Sequence, residues 1–236
     1  MAMSIPYLDI HTHKSDYPAS TNKEDQEKVG IYTLSLVDLR ARAIPKSPLA
    51  AGLHPWEIDE KNLHEDLKLV RQLAENRQTL LIGECGLDKL KGPPLSIQTK
   101  VYEEQILIAN EVRKPIIIHC VKAYDEIISV HKRLKCDSFA IMHGFNKSPE
   151  LAAQLLKSGF LLSFGAALTL NNGQSATAES LKYCAENNYP FFLETDTSDL
   201  EIESIYNHAA NQLKISEDAL KDVIFANWKK VGIYHE

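Results

Sequence analysis

Apolar and polar positions along the chain follow two alternating periods. Short apolar runs occur at Tyr7–His11, Gly30–Val37, Leu49–Leu53, Thr79–Gly83, Pro115–His119, Ser138–His143, Phe160–Phe164 and Pro190–Glu194. Between the later runs the spacing becomes helical. Leu63, Leu67, Val70 and Ala74 share one face, and Tyr124, Ile127, Ile128, His131 and Leu134 share another. This alternation predicts a parallel sheet with crossover helices, and about eight strands is the number that closes a barrel. The expected fold class is α/β, a TIM-like (β/α)8 barrel forming one domain over residues 1–236.

Ser148-Pro149-Glu150 reads as a helix start and Gly159 as its stop. Two further helices are expected after Asp199 and Ser216. The first third differs. Lys14–Lys28 is polar with no apolar stripe, and Asp38–Pro48 carries Pro45 and Pro48. A parallel crossover normally takes about a dozen residues with a helix. Reduced or missing helices are therefore predicted after the first two strands. The outer faces of those strands would then need another cover, from the segment around Trp228 and Tyr234 or from a second subunit.

A formal net charge of −6 argues against a basic surface that grips nucleic acid. It leaves room for a phosphodiester held by bound cations. Met1–Pro6 lacks the pattern of a signal peptide, and no window approaches the ~18 apolar residues of a membrane span. Cys85, Cys120, Cys136 and Cys184 form no Cys-x-x-Cys pair and read as reduced cysteines of a cytoplasmic protein. No Gly-x-Gly-x-x-Gly follows any strand, which disfavours a Rossmann-type nucleotide enzyme.

Candidate chemistry sits at the ends of the apolar runs. In Asp9-Ile-His-Thr-His13, side chains two apart on a strand point the same way, so His11 and His13 can chelate one divalent ion. Glu84, His119, His143 and Asp196 each end or follow a further predicted strand. Polar residues at the carboxyl ends of barrel strands converge on one mouth, whereas buried apolar strands otherwise avoid them. His54 also lies at a strand end and is a candidate substrate contact. Glu194 is expected to orient other groups, and Asp88 either to support a site group or to cap a turn, with the structural role favoured. His64, His131, His208 and His235 read as surface or stripe residues, and Cys85 and Cys120 as packing residues.

The chain resembles the TatD-like metal-dependent deoxyribonucleases of the amidohydrolase superfamily. The matching pieces, in family order, are Asp9-Ile-His-Thr-His13, Gly52-Leu-His-Pro55, Gly83-Glu-Cys-Gly-Leu-Asp88, Pro115-Ile-Ile-Ile-His119, His143-Gly-Phe145 and Leu193-Glu-Thr-Asp196. The resemblance implies two divalent ions, one held by His11, His13 and Asp196, the other by His119 and His143, with Glu84 bridging. It also implies metal-assisted hydrolysis of phosphodiester bonds, with DNA ends as a candidate substrate, and a carboxylate placed beside the ions makes Asp196 the candidate general base. Mixed nitrogen and oxygen ligands suit Zn, Mn, Fe or Ni better than Ca, and Mg stays open.

Four stretches depart from the family pattern: the weak early helices, Cys120-Val121-Lys122 after His119, Phe145-Asn146-Lys147 after His143, and the direct passage from Asp196 through Thr197 to Ser198-Asp199. Each touches the rim that reads substrate, where Lys122 is the candidate positive contact. Two rivals to the nuclease reading are a hydrolase of a small ester, amide or phosphomonoester, and a barrel that binds metal without catalysis. No membrane partner is expected, and both monomer and dimer are compatible with the sequence.

Overall fold

The structure is a computed structural model that describes residues 5–14, 27–41, 44–173 and 175–233. Its strands are β1 (Tyr7–Thr12), β2 (Lys28–Thr33), β3 (Leu49–Ala51), β4 (Thr79–Asp88), β5 (Ile116–Val121), β6 (Ala140–Met142), β7 (Phe160–Phe164) and β8 (Phe191–Leu193). They form one eight-stranded sheet in the order β1 to β8. The helices are α1 (Leu36–Ala41), α2 (Leu63–Ala74), α3 (Leu95–Val112), α4 (Tyr124–Leu134), α5 (Pro149–Lys157), α6 (Ala176–Glu186), α7 (Ile202–Leu213) and α8 (Glu217–Lys230). Parallel strands alternating with helices make this the (β/α)8 barrel that the hydrophobic pattern predicts. Among the described residues, no helix is long and apolar enough to cross a membrane.

The second apolar run is shorter as a strand than its pattern suggests. It stops at Thr33 because Ser35 opens a helix. The Ser35 hydroxyl accepts the Asp38 N–H at 3.2 Å, and the Asp38 carboxylate accepts the Ser35 N–H at 3.1 Å. This reciprocal cap starts the six-residue α1, a reduced crossover helix as expected after the second strand. The expected gap after the first strand falls largely on residues 15–26, outside the described residues. β4, by contrast, runs beyond Gly83 to Asp88, because β5 continues beside it, pairing Leu87 with Cys120 and Asp88 with Val121.

Two compact units make up the chain, residues 33–142 and residues 1–32 together with 143–236. In the first, Val70 and Ala74 of α2, Tyr102, Ile106 and Ala109 of α3, and Ile127 of α4 are wholly buried. Buried Gln105 of α3 accepts the Leu53 N–H at 2.7 Å and donates to the Leu53 carbonyl at 3.1 Å, fixing the turn that carries His54. In the second, α7 and α8 cover β1. The Tyr206 hydroxyl takes the Leu8 N–H at 3.1 Å and donates to the Leu8 carbonyl at 3.2 Å. Tyr7 packs edge-on against Tyr206 and donates to Glu217 at 2.9 Å. Trp228 of α8 is buried, and Tyr234 lies outside the described residues. The cover for β1 thus comes from this chain's own carboxy-terminal helices.

Candidate metal centre

In the unit formed by residues 1–32 and 143–236, the β8 chain changes neighbour after Leu193. The Glu194 N–H donates to Phe164 of β7 at 3.1 Å, whereas the Asp196 N–H donates to the His11 carbonyl of β1 at 2.9 Å. The His13 N–H closes the pair on the Asp196 carbonyl at 3.2 Å. Asp196 itself has φ +51°, a left-handed conformation that costs energy in a non-glycine residue. This switch sets the Asp196 carboxylate beside both histidines: its Oδ1 lies 3.5 Å from His11 Nε2 and 3.8 Å from His13 Nε2. The donor atoms of His11, His13 and Asp196 all lie within 4.8 Å of one another.

His143 joins the same cluster, its ring centroid 4.5 Å from that of His11. Its Nδ1 lies 3.4 Å from Glu194 Oε1, which also accepts the Gly144 N–H at 2.6 Å. His143, Glu194 and Asp196 form a second group of donor atoms within 4.8 Å. Beneath them, the buried Asp9 carboxylate accepts the N–H groups of His11 at 3.3 Å and Thr195 at 3.1 Å, and the Thr195 hydroxyl at 2.7 Å. Asp9 therefore fixes both strand ends that carry ligand-type residues. Its supporting role depends on a partner 186 positions away and has no local sequence signal.

A divalent ion fits this donor set. Glu194 is wholly buried, and its Oε2 has no hydrogen-bond partner. A buried carboxylate oxygen without a donor is costly, and a cation is the partner that removes the cost. Nitrogen and oxygen donors together suit a first-row transition ion or zinc.

The 33–142 unit holds a second cluster, built on the length of β4. Glu84, Gly86 and Asp88 alternate on one face of the strand, and Gly86 pairs with His119 of β5. His119 is consequently bracketed by two carboxylates, with Nδ1 2.9 Å from Glu84 Oε1 and Nε2 3.3 Å from Asp88 Oδ2. Gly83, immediately before Glu84, has φ +128°, and a Cβ there would lie 2.4 Å from the Ile117 carbonyl, so only glycine permits this approach of β4 to β5.

Asp88 accepts more than His119. Its Oδ1 takes the backbone N–H groups of Leu90 at 2.7 Å and Lys91 at 3.1 Å, and its Oδ2 takes the Trp56 indole N–H at 2.7 Å. Burial raises the Asp88 pKa, but the Leu90 N–H, the indole and His119 together bring it below the ordinary carboxylate value. An anionic Asp88 facing Nε2 favours a proton on that nitrogen, which leaves His119 Nδ1 as the atom able to ligate beside Glu84. Asp88 thus holds both a turn and a site imidazole, combining the two roles that the sequence left as alternatives.

His54 lies in the same cluster, with Nε2 3.2 Å from Glu84 Oε1. Its Nδ1 accepts the Trp56 backbone N–H at 3.1 Å. A neutral imidazole that accepts at Nδ1 carries its proton on Nε2, so His54 faces Glu84 as a donor rather than as a ligand. Lys122 is exposed just past β5, with φ +56°. Lys147 is also exposed. Cys85 is buried and Cys120 half-buried, and burial pushes the Cys120 thiol up to about 12.

The comparisons agree with the barrel. The family described as TatD related DNase matches residues 8–231. A Bacillus subtilis protein named as an uncharacterized metal-dependent hydrolase is 35% identical over 127 residues, covering 53% of this chain and 49% of that protein. A protein of the same description from Haemophilus influenzae is 27% identical over 158 residues, covering 64% of this chain and 59% of that one. This chain thus spans about half of each of these relatives. One from Methanocaldococcus jannaschii is 25% identical over 94% of this chain and 95% of its own length. Among solved structures, a TatD homologue from Escherichia coli superposes with a TM-score of 0.76 at 20% identity, covering 95% of this chain and 97% of that one. A TatD-family hydrolase from Entamoeba histolytica gives 0.69 at 17% identity, over 98% and 99% of the two chains. With a family match across nearly its whole length, this chain belongs to the TatD-related DNase family.

Proposed function

We propose that the protein is a divalent-metal-dependent hydrolase of the TatD type, with His11, His13, Glu84, His119, His143 and Asp196 as its metal ligands. The observation that carries this reading is the convergence of two imidazole nitrogens on one Asp196 oxygen, beside a buried Glu194 oxygen that lacks a donor. Divalent ions, two in the arrangement that the family resemblance implies, would supply Lewis acidity and charge neutralisation at the scissile bond.

The protein's own groups supply the rest. The Asp196 side chain is 36% exposed, enough to meet a water molecule and take its proton as that water attacks. Glu194 Oε1 faces His143 Nδ1 at 3.4 Å and is itself held by the Gly144 N–H. Asp88 orients His119, and His54 presents its Nε2 proton toward Glu84. Lys122 and the His54 edge are the proposed substrate contacts.

The finer reading is cleavage of phosphodiester bonds, with DNA ends as the first substrate to try. Residue 84 gives the decisive variant. Metal analysis of purified wild type and Glu84→Ala is paired with digestion of a DNA end-labelled substrate and a panel of simple esters and phosphomonoesters, with added Mn, Mg or Zn. Metal-dependent DNA degradation that Glu84→Ala lacks supports the reading. Turnover of small esters with no attack on DNA keeps the hydrolase and removes the nuclease. Bound metal with no turnover of any substrate would leave the non-catalytic barrel. The four unpaired cysteines support a reducing compartment, and we place the protein in the cytoplasm.

A further inference from the structure

We propose that the Trp56 indole is a stacking platform beside the metal centre, which receives a planar aromatic ring of the substrate while Lys91 turns to the substrate's anionic group. The proposal rests on the hydrolase reading and adds what the site recognises next to the bond it breaks.

Trp56 is 45% exposed, although its indole N–H is committed to buried Asp88. The ring also meets His54 edge-on at 4.8 Å and His119 at 5.4 Å, so it borders the cluster that contains Glu84. The only other tryptophan, Trp228, is buried in the core, where such a residue ordinarily finds its cover. On the loop after β4, Leu90 is 67% exposed. Two large apolar side chains are thus left facing solvent on adjoining rim loops, after β3 and after β4.

These loops are held in place. Buried Gln98 accepts the Asp88 N–H at 2.8 Å and donates to the carbonyls of Asp88, Lys91 and Pro93 at 2.9, 3.1 and 2.8 Å. Gly92, with φ +93°, lets this loop reach the Trp56 turn, since a Cβ there would lie 2.6 Å from the Pro55 carbonyl. A ring fixed through its N–H, on a loop fixed by a buried glutamine, is preorganised for binding rather than mobile.

Lys91 identifies the open face. Its ammonium sits 3.5 Å from the indole centroid. A cation–π contact at an exposed site is weak, and stacking of a base on an aromatic ring is stronger. An incoming planar ring therefore displaces Lys91, and the freed ammonium can pair with a phosphate or carboxylate on the same molecule. A ring with an attached anion is the combination that this pair selects.

Calorimetric titration of the full-length protein with adenosine 5′-monophosphate and with ribose 5-phosphate tests this, in the presence of Mn. The nucleotide should bind about tenfold or more tightly than the sugar phosphate, the size that loss of one base–aromatic stack gives. Trp56→Phe keeps a ring and should keep most of that advantage, whereas Trp56→Leu should bring the nucleotide down to the level of the sugar phosphate. Lys91→Ala should weaken both ligands alike. In a Trp228→Phe background, where Trp56 is the one remaining indole, the nucleotide should quench emission and the sugar phosphate should not. Equal binding of the two ligands to wild type, absence of nucleotide binding, or undiminished binding by Trp56→Leu would overturn the platform. Failure to hydrolyse any substrate would strike the hydrolase reading alone, because the binding and quenching results do not depend on turnover.

Discussion

In the 33–142 unit, the imidazoles of His54 and His119 have both ring nitrogens engaged by the protein: His54 by the Trp56 N–H and Glu84, His119 by Glu84 and Asp88. In the other unit, His11 and His13 direct their Nε2 atoms to a single oxygen of Asp196, and Glu194 keeps one buried oxygen without a donor. In the first cluster, Asp88 and the Trp56 N–H fix the two imidazoles and leave His119 Nδ1 and Glu84 Oε1, 2.9 Å apart, to share an ion. The second gathers acceptors with too few donors, and electrostatics then asks for a cation. The difference is one of emphasis: the first cluster, besides offering Glu84 and His119 as proposed ligands, orients its groups through the protein, whereas the second is arranged chiefly to hold charge.

The largest expected effect breaks the charge-holding cluster. Asp196→Asn keeps the shape but removes the negative charge where two imidazoles meet, along with the proposed proton acceptor. Turnover of whichever substrate is found should fall by about 10²–10⁴-fold, the range for loss of a general base. Metal content should fall with it. Activity within a few-fold of wild type would remove Asp196 from both roles.

Next in size is an acid-sensitive contribution in the 33–142 unit, away from either cluster's ligands. Burial lowers the His131 pKa to about 4 from 6.5, and its Nε2 is hydrogen-bonded to the buried Tyr102 hydroxyl. The folded state therefore holds His131 neutral while the unfolded chain takes up a proton below pH 6.5. Stability is fully present above that pH and is lost as pH falls toward 4, by roughly 3 kcal/mol for a shift of this size. Urea titrations at pH 7 and pH 4 measure it, and His131→Gln should flatten the difference.

A smaller effect tests the orienting cluster itself. Asp88→Asn weakens the acceptor for His119, the indole and two backbone N–H groups, but it removes no proposed ligand. Losing such a partner typically costs about 10–100-fold in metal affinity or activity. The loss should therefore be milder than for Asp196→Asn. An equal or larger loss would erase the distinction between the two clusters.

How much of this was legible beforehand follows from the range of each signal. Buried parallel strands read as apolar runs, and Leu80-Leu81-Ile82 or Ile116-Ile117-Ile118 are visible as such because both faces of the sheet are covered. A histidine or carboxylate closing such a run is conspicuous for the same reason. The contacts within the clusters were not legible. That Glu194 takes its hydrogen bond from Gly144, or Asp88 from Trp56, depends on loops 50 and 32 positions away. The bracketing of His119 needed β4 to run past Gly83, which its glycines concealed by breaking the apolar pattern. Cover for β1 was readable as a need but not as a contact, since Tyr206 on Leu8 spans 198 positions.

The last prediction sets the alkaline limit against the acid one. Tyr7 lies in the unit opposite to that of His131 in the contrast above, and burial together with the bond to Glu217 raises its hydroxyl from 10.0 to about 12. The folded state thus retains a proton that the unfolded chain releases above pH 10. This contribution is fully present below that pH and is lost as pH rises toward 12. Thermal melts from pH 9 to 11 should show a declining Tm, less steep in Tyr7→Phe, and His131→Gln should leave that slope unchanged. An alkaline slope unchanged in Tyr7→Phe would remove Tyr7 from it. The effect should be the smallest of the four, because Tyr7 is only partly buried and its partner Glu217 stays near solvent, where water screens the pair.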